Sequence, residues 1–334
     1  MKQTKRCKGA NMQQPLRVGI VGTGFAAKLR SQAFRDDERS QLFAIAGHTV
    51  EKTQEFARSL NTQVVESWQD LVKHPEIDLV CICTINRDHG EITRAALNHD
   101  KHVIVEYPLS LDATEAAELI DLAAARGKLL HVEHIELLGG VHQSLKQHLP
   151  QIGTPVYLRY STINPQNPAP QRWTYHQELF GFPFAAALSR LHRLTDAFGS
   201  VKSVNCQERY WGELPRFTAC LCVGQFHLNS GAIAEVAYGK GEVFSSSVRL
   251  FEVYGDRGTL IFDGDTGTLV QGETTTPIEV GGRRGLFVQD TQRVLDYLCE
   301  GTPLYVTPQA SLYSLKVANA AQKSAQMGQT VTVV

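Results

Sequence analysis

The chain has 334 residues, 43% of them hydrophobic and 20% charged, and a formal net charge of −1. This length predicts two domains, and the balanced charge argues against nucleic acid or an anionic membrane surface as a partner. No apolar run approaches the roughly 20 residues that a membrane-spanning helix requires, so we expect no membrane association.

The first half of the chain alternates short apolar segments with amphipathic ones. Strands are predicted at "LRVGIV" (16–21), "QLFAIA" (41–46), "TQVVE" (62–66), "DLVCIC" (78–83), "HVIVE" (102–106) and within "KLLHVEHIELL" (128–138). Helices are predicted after the glycines that follow the first strand, over 50–60, after a cap at Ser67, from about Asp88 to Asn98, and from Asp112. Short buried strands between helices are typical of a parallel sheet covered on both faces, so 16–135 is predicted to be an α/β domain. The basic segment before it, residues 1–15, predicts a disordered tail rather than a secretory signal.

Strands dominate the second half. They are predicted at "PVYLRYSTI", "VKSVNCQERYW", "RFTACLCVGQFHLN", "GAIAEVAYGK", "SVRLFEVYGD" and "GTLIFDG", with turns at 229–231 and 255–258. Helices are predicted over 184–198, 286–300 and 308–326. We therefore predict that 136–334 is an α+β substrate-binding domain with a largely antiparallel sheet. Its C-terminal helices are candidates for packing back on the first domain.

Seven cysteines are present, and two pairs alternate within strand-like segments: Cys81 with Cys83, and Cys220 with Cys222. Two cysteines on one face of a strand could share a metal ion, but no second pair of Cys or His residues has matching spacing. We therefore predict no metal site and buried, reduced thiols. Reduced thiols are typical of the cytoplasm, which is the expected location.

A glycine motif lies between the first strand and the first helix. The string "GTGFAA" (22–27) has the spacing G-x-G-x-x-A, in which Gly22 permits a tight turn and Gly24 lets the backbone approach a pyrophosphate. A merely structural turn is the alternative, but a strand before the motif and a helix after it favour a Rossmann dinucleotide-binding domain. The predicted cofactor contacts here are Gly22, Thr23, Gly24, Phe25 and Ala26.

The end of the second strand indicates which dinucleotide binds. An NAD site usually has an acidic residue there, which holds the ribose 2′-hydroxyl group. This strand ends in "AIAGHTVEK" and has no Asp or Glu at that point. Gly47 leaves room for a 2′-phosphate, with His48 and Thr49 as donors, so NADP(H) is favoured. The alternative is that His48 and Lys52 are simply solvated surface residues.

Three segments resemble one oxidoreductase family. "VGTGFAAK", "TINRDHG" (84–90) and "EYP" (106–108) are similar to motifs of the glucose–fructose oxidoreductase/inositol dehydrogenase (Gfo/Idh/MocA) family, and "YGDRGTLIF" (254–262) is similar to a hairpin of its second domain. The resemblance implies that these motifs border one nicotinamide. The further cofactor contacts that it implies are Thr84, Ile85, Asn86, His89, Glu106 and Tyr107.

Two departures from the family pattern argue against a sugar or polyol dehydrogenase. Tyr107 stands where the family usually has a lysine, and Ser189 and Arg193 stand where its second-domain helix usually has Asp and His. Oxidation of a hydroxyl group needs an acid/base that exchanges its proton near neutral pH. Tyrosine and arginine, with ordinary pKa values of about 10 and above 12, are poorly suited to that role.

Longer strings resemble the biliverdin reductases of this family, most closely the cyanobacterial members. These strings are the E-Y-P variant, "LLHVEHIELLGGVHQ" (129–143) and "NPAPQRWTYHQELFGFP" (167–183). The resemblance implies NADPH-dependent reduction of biliverdin to bilirubin at a CH–CH bond, with hydride added to the central methine carbon. It also implies that Arg190 is catalytic and assists protonation. A flat acceptor with two propionates needs cations for its carboxylates and an apolar slot for its rings. The candidates for lining the slot are Trp173, Tyr175, Phe180 and Phe182. The predicted substrate contacts are Tyr107, Arg172, Trp173, Arg193 and His134.

Each assignment has an alternative. Arg190, His192 and Arg193 share one helix and could be surface residues, and Tyr107 could be a packing residue rather than a wall beside the nicotinamide. Glu106 could cap a helix, contact the ribose or carry a proton. Among Glu133, His134 and Glu136 a structural salt bridge is as well supported as a ligand contact. The rival functions are an NADP-dependent sugar or polyol dehydrogenase and a non-catalytic NADPH-binding regulator, and the sequence leaves monomer and homodimer open.

Overall fold

The computed structural model describes residues 15–334, so the predicted tail lies outside the described residues except for Pro15. The described chain forms two compact units. The first unit contains the residues up to Ser110, Thr114–Ile135 and Gly285–Leu312; the second contains Leu111–Ala113, Glu136–Arg284 and Tyr313–Val334.

The first unit is built on a parallel sheet. Its strands are β1 (Leu16–Val21), β2 (Ser40–Ala46), β3 (Gln63–Val64), β4 (Leu79–Ile82), β5 (His102–Val105) and β6 (Leu130–Val132). Its helices in this part of the chain are α1 (Phe25–Arg35), α2 (Val50–Leu60), α3 (Trp68–Lys73), α4 (His89–Asn98) and α5 (Ala113–Arg126). The strand order is β3-β2-β1-β4-β5-β6, with every pair parallel, which is the order of a Rossmann fold. The predicted fold class of this half is confirmed.

Local sequence explains these elements. All four residues of β4 are buried, as expected for a strand covered on both faces. Helix α3 begins after Ser67, whose side chain accepts a hydrogen bond from the amide of Asp70 and so satisfies a first-turn N–H group. Helix α2 ends at Asn61, which adopts the left-handed conformation.

The second unit is built on a nine-stranded sheet. Its elements begin with α6 (Gly140–His148), β7 (Pro155–Pro165), α7 (Gln177–Phe180), α8 (Pro183–Ala186) and α9 (Ser189–Phe198). They continue with β8 (Val201–Trp211), β9 (Ala219–Leu228), β10 (Ile233–Gly241), β11 (Val248–Gly255), β12 (Thr259–Asp263), β13 (Thr266–Gln271) and β14 (Thr274–Ile278). The last elements of the chain are α10 (Leu286–Glu300), α11 (Pro308–Met327) and β15 (Val331–Thr332). The order is β14-β13-β12-β11-β7-β10-β9-β8-β15, and only β7 and β10 pair in parallel among these described strands. The largely antiparallel sheet is therefore confirmed.

One local prediction in this unit was wrong, and one helix was not predicted. The helix predicted over 184–198 is two helices, because the backbone leaves the helical conformation at Ala187 between α8 and α9. The helix α6 was missed because it begins at Gly139–Gly140, and glycine disfavours helices. Gly140 is required by packing, since a Cβ there would lie 2.0 Å from the carbonyl oxygen of Gly281.

Helix α10 belongs to the first unit, although it follows the second sheet in the chain. It packs against α1, where the rings of Phe25 and Phe287 meet edge to face at 6.2 Å between centroids. Arg39 adds an ion pair with Asp296, at 2.6 Å between Nη1 and Oδ1. The dinucleotide-binding sheet is thus covered by a helix from near the C-terminal end of the chain.

Five of the six cysteines in the described part of the chain are free and buried, whereas Cys299 is disulfide-bonded and departs from the predicted reduced state. The sulfur atoms of Cys81 and Cys83 lie 3.7 Å apart. Cys222 has its nearest sulfur neighbour in Cys206, at 3.5 Å, on the adjacent strand. Within residues 15–334, no group of three or more His, Cys, Asp or Glu side chains is placed to hold a metal ion. No helix in that range is long and apolar enough to cross a membrane.

Candidate functional site

The first βα turn of the first unit is shaped to accept an anion. Gly22 has a φ angle of +119°, and a Cβ atom there would lie 2.2 Å from the carbonyl oxygen of Cys83, so only glycine fits. A Cβ at Gly24, the residue before α1, would meet nothing within 4 Å. The first turn of α1 has no acidic residue, and Phe25 is 75% exposed. The other two predicted contacts, Thr23 and Ala26, are partly exposed. Because the first N–H groups of a helix lack intrahelical partners, this turn suits a phosphate group.

The end of β2 fits a dinucleotide that carries a 2′-phosphate. No acidic residue follows the strand; Gly47, the exposed His48 and Thr49 stand there instead. A Cβ at Gly47 would lie 2.3 Å from the Thr53 hydroxyl oxygen and 2.7 Å from a methyl carbon of Thr23, so this glycine lets the strand end and the glycine turn approach closely.

His89 connects the two other predicted cofactor segments. Its Nδ1 lies 2.7 Å from the carbonyl oxygen of Pro108, and its Nε2 lies 3.3 Å from the carbonyl oxygen of Thr84. Burial lowers the pKa of His89, although both carbonyl contacts oppose that shift. Asn86 is buried and Ile85 is partly exposed in the same turn. The ring therefore fixes the turn after β4 to the segment after β5, while cofactor contact by these residues remains a prediction.

Glu106 belongs to a buried polar network that the sequence did not predict. Arg30, on the face of α1 that points inward, is fully buried, and its Nε donates to the Glu106 carboxylate at 3.1 Å. Its Nη1 donates to the Thr291 hydroxyl at 3.1 Å and forms an ion pair with Asp290. This arrangement favours a role for Glu106 in pairing with Arg30 over a role as a free proton carrier.

Asp290 is the centre of this network. Its Oδ1 accepts a hydrogen bond from the Tyr305 hydroxyl at 2.7 Å and lies 2.7 Å from Nε2 of His131. Burial alone would raise the pKa of Asp290, but the positive charge of Arg30 and the contact with His131 lower it well below its ordinary value. No spacing in the sequence connects these residues, which lie in α1, β6, α10 and the segment after α10.

Glu133 lies beside the network and differs from Asp290 in charge. It is buried, and burial together with the nearby Glu106 raises its pKa well above the ordinary value for glutamate. Its Oε1 accepts a hydrogen bond from the amide of Ile135 at 2.5 Å. This environment favours the protonated form of the Glu133 carboxyl group.

Tyr107 is partly exposed and has a buried ring behind it. The ring of His134 stacks on it, with centroids 5.4 Å apart. His134 has 0% exposure, and its Nε2 lies 2.8 Å from the Ser311 hydroxyl. The prediction that His134 contacts the substrate directly therefore conflicts with its burial, and its position favours support of Tyr107.

The arginines of α9 have different surroundings in the second unit. Arg190 is partly exposed, its guanidinium lies 5.0 Å from the ring centroid of Tyr238, and its Nη1 donates to the Ser189 hydroxyl at 3.2 Å. Arg193 is buried, and it donates to the Tyr160 hydroxyl at 2.8 Å and to the Glu136 carboxylate at 3.2 Å. The protein itself thus binds both terminal nitrogens of Arg193, whereas the guanidinium of Arg190 lies over an aromatic ring.

The segment 167–183 contains both exposed and core residues. Arg172 is exposed, and Trp173 is partly exposed. Tyr175, Phe180 and Phe182 are buried, so the prediction that they line a substrate slot conflicts with their place in the core. Tyr175 and Phe180 pack with Phe217 and Cys220. Of the four predicted slot residues, only Trp173 has a partly exposed side chain that a ligand could reach.

Comparison with known families supports this reading of the two units. Residues 16–134 match the description "Oxidoreductase family, NAD-binding Rossmann fold", and residues 146–333 match "Oxidoreductase family, C-terminal alpha/beta domain". The chain belongs to the Gfo/Idh/MocA oxidoreductase family. Membership confirms the predicted family and the predicted NAD(P)-dependent oxidoreductase class.

Several members of the Gfo/Idh/MocA family are similar over much of the chain. The crystal structure of biliverdin reductase in complex with biliverdin and NADP+ from Synechocystis sp. PCC 6803 has a TM-score of 0.92 and 55% sequence identity, and the match covers 94% of this chain and 100% of that one. Biliverdin reductase A from Homo sapiens is 32% identical over 64% of this chain and 69% of its own length. The protein of the same name from Mus musculus is 32% identical, over 56% of this chain and 60% of its own length.

Proposed function

We propose that this chain is an NADPH-dependent biliverdin reductase, which reduces biliverdin to bilirubin. The observation that carries the proposal is the 55% identity with the Synechocystis biliverdin reductase over that protein's whole length, in a structure that contains biliverdin and NADP+. The second unit supports the same chemistry, because Ser189 and Arg193 stand where a sugar dehydrogenase of the family would need its acid/base.

The first unit has the features that NADPH requires. The turn at Gly22 and Gly24 would hold the pyrophosphate, and His48 and Thr49 would donate to the 2′-phosphate. Thr84, Ile85, Asn86 and His89 would border the cofactor after β4, and Glu106 and Tyr107 after β5. When bound, NADPH supplies the hydride.

The proposed roles in the second unit follow from exposure and charge. Arg190 would stabilise the negative charge that develops on a pyrrole nitrogen and orient a proton toward it, because a permanently charged guanidinium is a strong donor but a reluctant acid. Arg172 and Trp173 would bind a propionate and a ring face of the bilin. For Arg193 we propose the support of Glu136, in place of direct substrate contact.

The location of the protein is also proposed. Five buried, free cysteines fit a reducing compartment and support the cytoplasm, whereas the disulfide bond of Cys299 argues against it.

Purified protein mixed with NADPH and biliverdin tests the proposal. We expect the green solution to turn yellow, with bilirubin identified by chromatography and with NADPH consumed in equal amount. Parallel samples contain NADP+ with inositol or glucose at alkaline pH. Reduction of NADP+ by a polyol without bilirubin formation would identify a sugar or polyol dehydrogenase. Tight NADPH binding without turnover in either assay would identify a non-catalytic regulator.

A further inference from the structure

The C-terminal end of β10 anchors the segment that carries Arg172 and Trp173. The carbonyl oxygen of Gly241 accepts from the amide of Gln166 at 3.3 Å, and the carboxylate of Glu242 accepts from the amide of Ala169 at 2.7 Å. Lys240 completes the set, because its ammonium group donates to the carbonyl oxygen of Thr174. Three consecutive residues, the last two of β10 and the one that follows it, thus bind the segment at three points.

The ammonium group of Lys240 lies among aromatic rings. Its Nζ is 3.5 Å from the ring centroid of Phe180, 4.7 Å from that of Tyr175 and 5.3 Å from that of Phe217. Lys240 is 5% exposed, and no carboxylate among residues 15–334 forms an ion pair with it. Ring faces attract a cation, but they do not replace the water that a buried ammonium group loses.

This environment makes the charge of Lys240 sensitive to pH. Burial lowers the pKa of Lys240 to about 8, and the charge of Arg172 acts in the same direction, while Cys220 opposes it. The other titratable groups nearby keep their protons near neutral pH, because burial raises the pKa of Tyr175 to about 12 and that of Cys220 to about 11. Glu242 is already bonded to the amide of Ala169.

The hydrogen bond to Thr174 connects Lys240 with the two exposed residues. The amide of Tyr175 donates to the carbonyl oxygen of Arg172 at 3.0 Å, so the turn from Arg172 to Tyr175 is one hydrogen-bonded unit. Trp173 contacts Phe180 at 6.2 Å between ring centroids, and Phe180 is the ring closest to the ammonium group. Movement of Lys240 would therefore be transmitted to both Arg172 and Trp173.

We propose that Lys240 is a positioning residue that holds Arg172 and Trp173 in the conformation that binds the substrate, and that this hold weakens when its ammonium group loses its proton. Lys240 acts through Thr174 and Phe180 and does not itself touch the substrate. The role of Arg172 and Trp173 rests on the proposed function.

The first experiment needs no substrate. A variant with Trp68→Phe and Trp211→Phe keeps Trp173 as its one tryptophan, because the chain has three. We expect the emission of Trp173 to change with a midpoint near pH 8, the pKa of Lys240. Adding Lys240→Met should abolish this transition, whereas Lys202→Met, which removes an exposed lysine from β8, should leave it intact.

The second experiment is steady-state reduction of biliverdin. Loss of one charge-assisted hydrogen bond should raise KM for biliverdin about tenfold in Lys240→Met, with kcat changed less than about twofold. The wild-type KM should rise above about pH 8, and the KM of Lys240→Met should not depend on pH in that range. The dissociation constant of NADPH and the melting temperature should not worsen, since the variant removes a buried charge.

The outcomes separate the two proposals. An unchanged Trp173 transition in Lys240→Met, or a wild-type emission that does not titrate near pH 8, would overturn the inference. A variant that melts at a much lower temperature would assign Lys240 to stability instead. If the wild type makes no bilirubin while the Trp173 transition still depends on Lys240, the positioning role stands and the proposed function fails.

Discussion

The imidazole ring of His134 lies parallel to the phenol ring of Tyr107, with their centroids 5.4 Å and their planes 6° apart. The Nε2 atom of His134 lies 2.8 Å from the hydroxyl oxygen of Ser311. The backbone amide of His134 donates to the hydroxyl oxygen of Tyr305 at 3.2 Å. The ring of Tyr107 is thus fixed from behind by a fully buried neighbour. This geometry suits a role of Tyr107 as a rigid side chain that positions the groups beside it.

Tyr107→Phe should retain substantial turnover, because phenylalanine preserves the stack with His134 and a wall needs no hydroxyl group. Tyr107→Ala should raise KM for biliverdin by about three- to tenfold, the range expected for one lost aromatic pair. Steady-state kinetics with varied biliverdin measures both values. A loss of about a thousandfold in Tyr107→Phe would instead identify the hydroxyl group as the proton donor.

His48→Asp should reverse a preference for NADPH over NADH, since a carboxylate would repel the 2′-phosphate and bind the ribose hydroxyl groups. Gly47 is unsuitable for this test because any Cβ there would clash with Thr53. The ratio of kcat/KM for the two cofactors should shift by about ten- to a hundredfold, as for one lost charge-assisted contact. His48→Asn is the neutral control and should keep the preference. Wild-type enzyme that favours NADH would refute the assignment.

Arg190→Ala should lower turnover by about 10²- to 10³-fold, the usual effect of removing one preorganised donor. NADPH affinity should stay nearly constant, because Arg190 belongs to the second unit, where it contacts Ser189 and Tyr238. Arg190→Lys keeps the charge without the planar guanidinium and should restore only part of the rate. Single-turnover decay of NADPH absorbance, with a fluorescence titration of NADPH, measures both quantities.

The exposed Arg209 in β8 is the matched control, and Arg209→Ala should reduce biliverdin at the normal rate. A near-normal rate in Arg190→Ala would exclude the catalytic role and make Arg172 the next candidate.

Glu133→Gln should make the protein more resistant to urea at neutral pH. The pKa of Glu133 is raised in the folded state, so its contribution to stability is full below the unfolded value of about 4.3 and is lost as pH rises toward the folded value. Glutamine resembles the protonated acid at every pH, so the urea midpoint of the variant should fall less between about pH 5 and 8 than that of the wild type. A lower midpoint throughout would contradict a protonated Glu133.

Asp290→Asn provides the contrast within the same network. The pKa of Asp290 is lowered, so its contribution is present above the unfolded value of about 3.9 and is lost as pH falls. Removing this carboxylate leaves the buried Arg30 poorly compensated, and the expected loss is about 3–5 kcal/mol at neutral pH.

Much of the fold was predictable because strong local patterns agree with tertiary burial. The predicted bounds of β1, α2, β8 and α10 match the structure, since each has a regular apolar period and clear turn residues at its ends. The hairpin β13–β14 was missed because its Thr-rich and Gly-rich sequence lacks apolar alternation. Local pattern also gave the glycine turn, because its function needs particular backbone angles at fixed spacing.

The rest of the candidate site depends on contacts between distant residues. Glu106 and Asp290 meet at Arg30 from different parts of the chain, and no spacing rule connects them. Nothing in the sequence distinguishes Lys240 from an ordinary polar residue at the end of a strand, because its surroundings come from the aromatic residues around Phe180 and Phe217. Aromatic content alone also could not separate a ligand-facing residue such as Trp173 from a core residue such as Tyr175.

The packing of α10 on α1 has a consequence during synthesis on the ribosome. Arg30 and Thr291 are 261 positions apart, so at about 5–20 residues per second Arg30 waits about 10–50 seconds for its partners in α10 to be translated. Until then Glu106 is the partner of Arg30 that has already been made, and the carboxylate of Asp290 is missing. We expect the growing chain to acquire cofactor affinity only near the end of translation, and to depend on chaperones until α10 emerges.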